Sequence, residues 1–249
     1  METIAIIPAR YGSSRFPGKP LADIGGEPMV WRVYRRVAEA LGRENVYVAT
    51  DHQAISEAVS SRGGNAVITE GEISCGTARC AVALDLIGRS PDIVINVQGD
   101  EPFISGSHIR LLSDCFADST VEIATLARRF NPEEGFDALF SPDSPKVVMD
   151  AEGNALYFSR SIVPYVRDAD WKEWMQAAEF FLHVGTYAFR PATLRRIAAL
   201  PECALEHAER LEQLRWLHAG CRIRVALTSE PLLSVDTEAD LEAAKRLLK

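Results

Sequence analysis

The first half of the chain alternates short apolar segments with amphipathic segments, and this alternation constrains the fold more than any other feature. TIAIIPA (residues 3–9), NVYVATD (45–51) and DIVINVQGDEP (92–102) are rich in Ile and Val and end in Pro, Gly or Asp, which is typical of fully buried strands. Between the first two lies MVWRVYRRVAEAL (29–41), whose apolar residues recur at helical spacing. Strand then helix, repeated at roughly 20 to 30 residues, predicts βαβ units on a parallel sheet.

After about residue 122 the pattern changes to longer strand-like segments. KVVMDAEGNALYFSR (146–160) predicts two strands joined by a turn of Asp, Glu, Gly and Asn. ALEHAERLEQLRWLHAG (204–220) places leucines along one stripe and predicts a single helix. We therefore predict one α/β domain over residues 1–249, with a β-rich arm near residues 150–200.

Composition excludes several classes of function. The net charge of −8 argues against a nucleic-acid partner and against a membrane surface, both of which favour a basic face. The apolar segments are shorter than the roughly 18 residues of a membrane span, and the N-terminus lacks the pattern of a secretory signal. The five cysteines are widely spaced without a CxxC pair, which predicts reduced thiols in a cytoplasmic protein.

The stretch ARYGSSRFPGKPL, directly after the first predicted strand, concentrates positive charge in an acidic chain. Gly12 and Gly18 let the backbone fold around an anion, and Arg10, Arg15 and Lys19 supply charge. The stretch predicts a phosphate-binding loop, and a solvated surface turn is the alternative. It matches neither GxxxxGK[ST] nor GxGxxG, which disfavours a kinase-type P-loop and a dinucleotide site.

Carboxylates follow two later apolar segments. Asp100 and Glu101 lie at the end of the strand segment DIVINVQGDEP, and Asp236 follows PLLSV. Ligands of open parallel sheets bind at the carboxyl ends of strands, and Mg²⁺ binds one or two carboxylates together with phosphates. These carboxylates are therefore candidate ligands for Mg²⁺. The alternative is that they cap helices, since Thr237 and Asp240 have the spacing of a capping box.

Seven segments, which run from residue 4 to about residue 242, together resemble the 3-deoxy-manno-octulosonate cytidylyltransferases (CMP-Kdo synthetases). They are IIPARYGSSRFPGKPL, VYVATD, INVQGDEP, KVVMDAEGNALYFSR, HVGTYAFR, LEHAERLEQLRWL and VDTEADLE. The resemblance implies a nucleotide-diphospho-sugar-transferase-like, Rossmann-like α/β fold: a mixed, mostly parallel sheet with helices on both faces and a β-rich dimerisation insertion. It further implies a cytoplasmic homodimer that uses Mg²⁺, CTP and the acidic sugar Kdo to make CMP-Kdo and pyrophosphate for lipopolysaccharide synthesis.

The resemblance also implies roles for individual residues. The implied catalytic residues are Lys19, Asp100 and Asp236, of which Asp100 and Asp236 hold Mg²⁺. The implied nucleotide ligands are Ala9, Arg10, Gly12, Arg15, Lys19 and Gln98. The implied sugar ligands are Arg79, Gln98, His183, Tyr187, Glu212 and Gln213. The alternative for His183 and Tyr187 is that they only pack within a strand. The alternative for Glu212 and Gln213 is that they lie at the solvated edge of a helix.

One segment departs from the family's pattern. In CGTAR, Cys75 stands where the family usually has serine and Ala78 stands where it has an acid, whereas Arg79 is kept. The departure leaves open a related activity on another acidic sugar, such as 8-amino-Kdo or sialic acid. A nucleotide-binding protein without catalysis is a further alternative. Cys75 itself is either a small packed residue or a redox switch.

Overall fold

The computed structural model describes residues 1–12, 16–231 and 233–248. Within it the chain divides into two compact units. The first unit comprises Met1–Ser113, Thr186–Ala199 and Leu232–Lys249, and the second comprises Asp114–Gly185 and Leu200–Pro231. The single domain with an arm near residues 150–200 stays a prediction.

The described strands and helices follow the predicted order of elements. The strands are β1 Thr3–Ala9, β2 Val46–Thr50, β3 Asn65–Ile68, β4 Ile93–Asn96, β5 Ile123–Arg129, β6 Lys146–Met149, β7 Ala155–Ser159, β8 Phe181–Phe189 and β9 Arg224–Thr228. The α-helices are α1 Met29–Leu41, α2 Gln53–Ser60, α3 Gly76–Ile87, α4 Gly106–Asp114, α5 Asp137–Phe140, α6 Trp174–Ala177, α7 Pro191–Ala198, α8 Ala204–Glu209, α9 Gln213–His218 and α10 Glu238–Arg246.

The sheet of the first unit confirms the predicted βαβ units. Its parallel strands lie in the order β3-β2-β1-β4, and the last part of β8 pairs antiparallel with β4. Residues Ile4 to Ile7 are fully buried, as expected of a strand inside a parallel sheet. The strand order reverses between β1 and β4, so the carboxyl ends of these two strands form the expected ligand-binding position.

The C-terminal segment is fixed in the first unit by its apolar side chains. Val235 is fully buried in a cluster with Ile24 and Met29. The predicted capping box is confirmed: Thr237 Oγ1 accepts from Asp240 N at 3.2 Å, and Asp240 Oδ2 accepts from Thr237 N at 2.8 Å. The burial of Val235 before it and the start of α10 after it fix the position of Asp236.

In the second unit, β5 lies between β8 and β9 and runs parallel to β9. β6 and β7 form an antiparallel hairpin with an irregularity between Val148 and Met149, which confirms the hairpin predicted for residues 146–160. Asp150 closes its turn by accepting from the backbone N–H groups of Glu152 at 2.9 Å and Asn154 at 2.8 Å, as an Asx turn does.

The single helix predicted over residues 204–220 is wrong. α8 ends at Glu209, Arg210 adopts a left-handed conformation with φ 51°, and α9 starts at Gln213. The Glu209 carboxylate accepts from Ser159 Oγ at 2.7 Å and from Arg160 N at 2.9 Å. These tertiary hydrogen bonds stabilise the break in spite of the continuous leucine stripe.

The two short helices are joined by a nearly buried ion pair, and its loss should destabilise the protein. Arg215 donates from Nε and Nη2 to the two carboxylate oxygens of Glu206, at 2.7 and 2.5 Å. We expect Glu206→Gln to lower the free energy of unfolding by about 3 kcal/mol, because removing one partner leaves a buried charge uncompensated. Urea titration followed by tryptophan fluorescence measures this loss. The exposed pair of Lys245 and Glu242 provides the control, since Glu242→Gln should cost under about 1 kcal/mol.

Candidate active site

A cleft of about 290 Å³ opens in the first unit where the strand order reverses. Its walls come from the end of β1, the loop after β4, the start of α3 and the segment before α10. The lining residues are Pro8, Ala9, Arg10, Lys19, Pro20, Ile73, Ser74, Cys75, Gly76, Arg79, Gln98, Gly99, Asp100 and Asp236. The fold thus brings together three of the regions that the sequence singled out.

Lys19 lies at the centre of the charged groups in the cleft. Its Nζ donates to Asp100 Oδ2 at 2.6 Å and to Asp236 Oδ1 at 3.1 Å. The lysine side chain is 13% exposed, whereas Asp100 is 27% and Asp236 is 44% exposed. The three implied catalytic residues therefore meet at one point, although they come from three distant parts of the chain.

The backbone explains why these three residues converge. Val235 N donates to Asp100 O at 2.9 Å, which ties the segment before α10 to the loop after β4. A Cβ on Gly99 would lie 3.0 Å from Pro8 O, so a side chain at this position would push the loop away from the end of β1 by a few tenths of an ångström. Lys19 begins a short 3₁₀ turn directly after Gly18, which has φ 70°.

The cleft has the donor set that a magnesium ion favours. Asp100 and Asp236 approach one ammonium group within 2.6 and 3.1 Å, so their oxygens are close enough for one small cation to contact both. No group of three or more His, Cys, Asp or Glu side chains suited to a metal occurs among the described residues. Two carboxylates suffice for Mg²⁺ because it takes the rest of its ligands from phosphate and water.

The adjacent carboxylates of Asp100 and Glu101 have different environments. Glu101 is 2% exposed and accepts a hydrogen bond from Thr186 Oγ1 at 2.7 Å. Burial, and then the charge of Asp100, raise the pKa of Glu101 to about 8. Burial thus favours the neutral form of Glu101, whose hydrogen bond with Thr186 anchors the loop. Asp100 is the carboxylate that reaches the cleft.

The implied nucleotide ligands are distributed unevenly around the cleft. Ala9, Arg10 and Gln98 line it together with Lys19. Gly12 is exposed and is not among the lining residues, and Arg15 lies outside the described residues. The assignment of these residues to CTP stays a prediction.

Arg79 is the implied sugar ligand whose environment is best defined. Its side chain is 5% exposed, and Nη2 donates to Asp51 Oδ2 at 3.1 Å. Nη1 donates to Thr69 Oγ1 at 2.5 Å. The guanidinium is thus held without an acid at position 78. Asp51 and Thr69 were missed by the sequence analysis, in which Asp51 appears only as the last residue of VYVATD.

Cys75 takes over the capping role that a serine commonly has. It is the N-cap of α3, and its Sγ accepts from Ala78 N at 3.4 Å. Sulfur is a weak hydrogen-bond acceptor, yet the contact satisfies one of the free N–H groups at the start of the helix. Cys75 lines the cleft and is partly exposed.

Of the other implied sugar ligands, Gln98 lines the cleft, whereas the remaining four are not among its lining residues within the described part of the chain. Tyr187 lies in the first unit, is 6% exposed and pairs with Asn96 across β8 and β4. His183, Glu212 and Gln213 belong to the second unit. The buried Nε2 of Gln213 has no hydrogen-bond partner among the described residues. The role of these four residues toward the sugar stays a prediction.

His183 is held as a neutral imidazole, and this predicts a loss of stability in acid. Its Nε2 lies 3.0 Å from Thr125 Oγ1, its ring packs edge-on against Phe158, and burial lowers its pKa to about 3. The unfolded chain, with a histidine pKa near 6.5, binds a proton that the folded chain does not. The free energy of unfolding should therefore fall as the pH drops from about 6.5 toward 3, by up to roughly 1.4 kcal/mol per unit.

His183→Gln keeps a hydrogen-bonding group but does not titrate, so it should flatten this dependence. Urea titrations of the variant and the unchanged protein at pH 7, 6 and 5 measure the difference. Equal slopes for His183→Gln and the unchanged protein would contradict the assignment.

Comparisons with known proteins agree with the site. The sequence profile of the cytidylyltransferase family matches residues 4–223. A 3-deoxy-manno-octulosonate cytidylyltransferase of Parabacteroides distasonis is 47% identical over 249 residues, which cover 100% of this chain and 98% of the relative. The same enzyme of Porphyromonas gingivalis is 48% identical over 248 residues, covering 100% and 97%.

A solved structure of CMP:2-keto-3-deoxy-manno-octonic acid synthetase complexed with CTP superimposes with a TM-score of 0.89. It is 39% identical, and the match covers 100% of this chain and 98% of that one. This similarity confirms the predicted α/β fold with its mixed, mostly parallel sheet. The chain belongs to the cytidylyltransferase family and, within it, to the 3-deoxy-manno-octulosonate cytidylyltransferases.

Proposed function

We propose that the protein transfers CMP from CTP to the anomeric 2-hydroxyl of Kdo. The hydroxyl gives up its proton to solvent as its oxygen forms a bond to the α-phosphorus of CTP, the bond between the α-phosphorus and the oxygen that bridges to the β-phosphorus breaks, and pyrophosphate leaves. The observation that carries the proposal is the meeting of Lys19, Asp100 and Asp236 at the end of β1 and β4. The names of the relatives, which share this chain's full length, supply the sugar.

The residues of the cleft suit nucleotidyl transfer, in which positioning and charge stabilisation do most of the catalysis. Arg10 and Lys19 would bind the triphosphate and offset the charge that develops on the leaving pyrophosphate. Asp100 and Asp236 would hold Mg²⁺, which neutralises phosphate charge and lowers the pKa of a bound hydroxyl. Arg79 would bind the sugar carboxylate, since neutral His183 supplies no positive charge at pH 7.

The decisive experiment is a panel of acidic sugars assayed at fixed CTP and MgCl₂ for pyrophosphate release. We expect Kdo to give the highest kcat/KM, because Arg79 is fixed by Asp51 and Thr69 in spite of the alanine at position 78. A clear preference for 8-amino-Kdo or sialic acid would replace Kdo as the substrate. CTP binding without turnover of any sugar would favour a protein that only binds nucleotide.

We also propose that the protein works in the cytoplasm, where CMP-Kdo would serve lipopolysaccharide synthesis. The five cysteines of the sequence are widely spaced and include no CxxC pair, which is typical of a protein in a reducing compartment. Among the described residues, no helix is both long and apolar enough to cross a membrane. Fractionation of cells followed by immunoblotting tests the compartment.

A homodimer is the oligomer we propose. The second unit exposes several large apolar side chains, among them Leu156 at 62% and Tyr165 at 74%. Exposed apolar surface of this kind often marks an interface between proteins. Light scattering coupled to gel filtration tests the proposal, because a dimer has twice the mass of the 27.4 kDa chain.

A further inference from the structure

Asp51 connects two parts of the cleft that the sequence analysis treated as separate. It follows β2 directly, and the last residue of β2 pairs with Ala9 at the end of β1. Asp51 Oδ1 accepts from Tyr11 N at 3.2 Å, and Oδ2 accepts from Arg79 Nη2 at 3.1 Å. One carboxylate therefore contacts both the predicted phosphate-binding loop and the predicted sugar ligand.

Tyr11 holds the phosphate-binding loop in place through its backbone and its ring. Its carbonyl oxygen accepts from Gly18 N at 3.0 Å, so the two ends of the loop meet at this residue. Its ring stacks on His52 with a centroid distance of 4.1 Å and an interplanar angle of 17°. Since Lys19 follows Gly18 directly, the contacts of Asp51 and His52 with Tyr11 also help to fix the start of the turn that carries Lys19.

Arg79 depends on the same end of β2 through a second route. Thr69, which contacts the guanidinium, donates to Thr50 O from its N at 2.8 Å and from its Oγ1 at 3.2 Å. The arginine side chain is 5% exposed and Asp51 is 35% exposed. Of the two side chains that hold the guanidinium, Asp51 and Thr69, only Asp51 carries a charge that compensates it. Loss of that charge would leave a nearly buried cation held by a neutral hydroxyl.

We propose that Asp51 is a positioning residue that couples the phosphate-binding loop to Arg79. The inference rests on the proposed function, since it takes Arg79 as the cation for the sugar carboxylate. Asp51 acts through these two partners: Oδ1 sets the loop that receives CTP, and Oδ2 sets the guanidinium that receives the sugar. Because each carboxylate oxygen contacts a different partner, a mutation can remove the contact with Arg79 and keep the contact with Tyr11.

Asp51→Asn and Asp51→Ala separate the two contacts. Asparagine keeps a carbonyl oxygen for Tyr11 N but loses the charge toward Arg79, whereas alanine loses both contacts. For Asp51→Asn we expect the KM for Kdo to rise about tenfold, with the Kd for CTP within twofold of its original value. For Asp51→Ala we expect both constants to rise about tenfold. Calorimetry without sugar gives the Kd for CTP, and steady-state kinetics give the KM for Kdo.

A double-mutant cycle distinguishes positioning from general destabilisation. If Asp51 acts on the sugar through Arg79, then Asp51→Asn should raise the KM for Kdo no further in an Arg79→Gln background. Asp85→Asn is the matched control, because Asp85 pairs with Arg195 on the surface and should change neither constant. Asp51→Asn preserves the shape of the side chain, so it still tests whether Asp51 positions Arg79 if Asp51→Ala fails to fold.

Two results would overturn the inference. One is a KM for Kdo that stays within twofold in Asp51→Asn. The other is an additive effect of Asp51→Asn and Arg79→Gln. Failure of the proposed function is a different result, because the unchanged protein would then release no pyrophosphate with Kdo. The CTP binding of all variants would still be measurable in that case.

Discussion

Asp100→Asn and Asp236→Asn are each expected to lower kcat/KM for CMP transfer about a thousand-fold or more. Both carboxylates converge on one point of the cleft, at 2.6 and 3.1 Å from Lys19 Nζ. A divalent cation held there would contribute several kcal/mol to the stabilisation of phosphate charge in the transition state, and about 1.4 kcal/mol corresponds to each factor of ten in rate. Asparagine retains the size of the side chain but removes the charge that would hold the cation.

The binding of Mn²⁺ in the presence of CTP, followed by electron paramagnetic resonance, shows whether the loss arises at the metal. Each variant should bind Mn²⁺ more weakly than the unchanged protein, while thermal unfolding stays within a few degrees. Asp85→Asn, at a surface ion pair, should leave both binding and turnover unchanged. If Asp236→Asn kept more than a tenth of the activity, Asp236 would be only the start of a helix, as its alternative interpretation holds.

The sequence was sufficient for the parts of the site that follow local rules. Buried Ile and Val segments separated by periodic helices predicted β1, β2 and β4, because a parallel sheet covered on both faces needs such segments. The rule that ligands lie at the carboxyl ends of strands then placed the cationic loop and Asp100 at one edge. No strand precedes Asp236 among the described residues after Thr228, and it reaches Lys19 because Val235 is buried and bonded to Asp100 O.

The sequence was insufficient where tertiary contacts decide. Asp100 and Glu101 are adjacent carboxylates, and only the burial of Glu101 against Thr186 separates a cleft residue from an anchor of the loop. Asp51 shows no pattern of its own, since its two partners, Tyr11 and Arg79, are distant in sequence. Long-range hydrogen bonds of this kind leave no periodic signal along the chain.

The break between α8 and α9 has the same origin. The leucine stripe over residues 204–220 continues across the break, so its periodicity predicts an unbroken helix. The structure instead ends α8 at Glu209, whose carboxylate binds Ser159 and Arg160. Tertiary hydrogen bonds outweigh local helix propensity here, as they commonly do.

Lys19→Met is expected to lower kcat/KM about a hundred-fold or more. The ammonium group is the only charge of the side chain, and methionine fills a similar volume without it. A single positioned donor to a transition-state anion commonly contributes a factor of about 100 to 1,000. Pyrophosphate release from CTP and Kdo measures the loss, and Lys245→Met, at an exposed pair with Glu242, should leave the activity unchanged.

The same substitution should have the opposite effect on the affinity for a metal ion in the absence of nucleotide. Lys19 contacts both carboxylates, so the three side chains together carry a formal charge of −1, and removal of the ammonium leaves two negative charges at short range. A divalent cation is attracted more strongly to that pair, and we expect Mn²⁺ without CTP to bind Lys19→Met at least about tenfold more tightly.

An unchanged or weaker affinity would mean that Lys19 does not share the carboxylates with the metal. Activity that stayed within twofold would remove Lys19 from the transfer itself. Only a lysine that balances the carboxylates in the free protein and also contributes to the reaction gives tighter metal binding together with slower turnover.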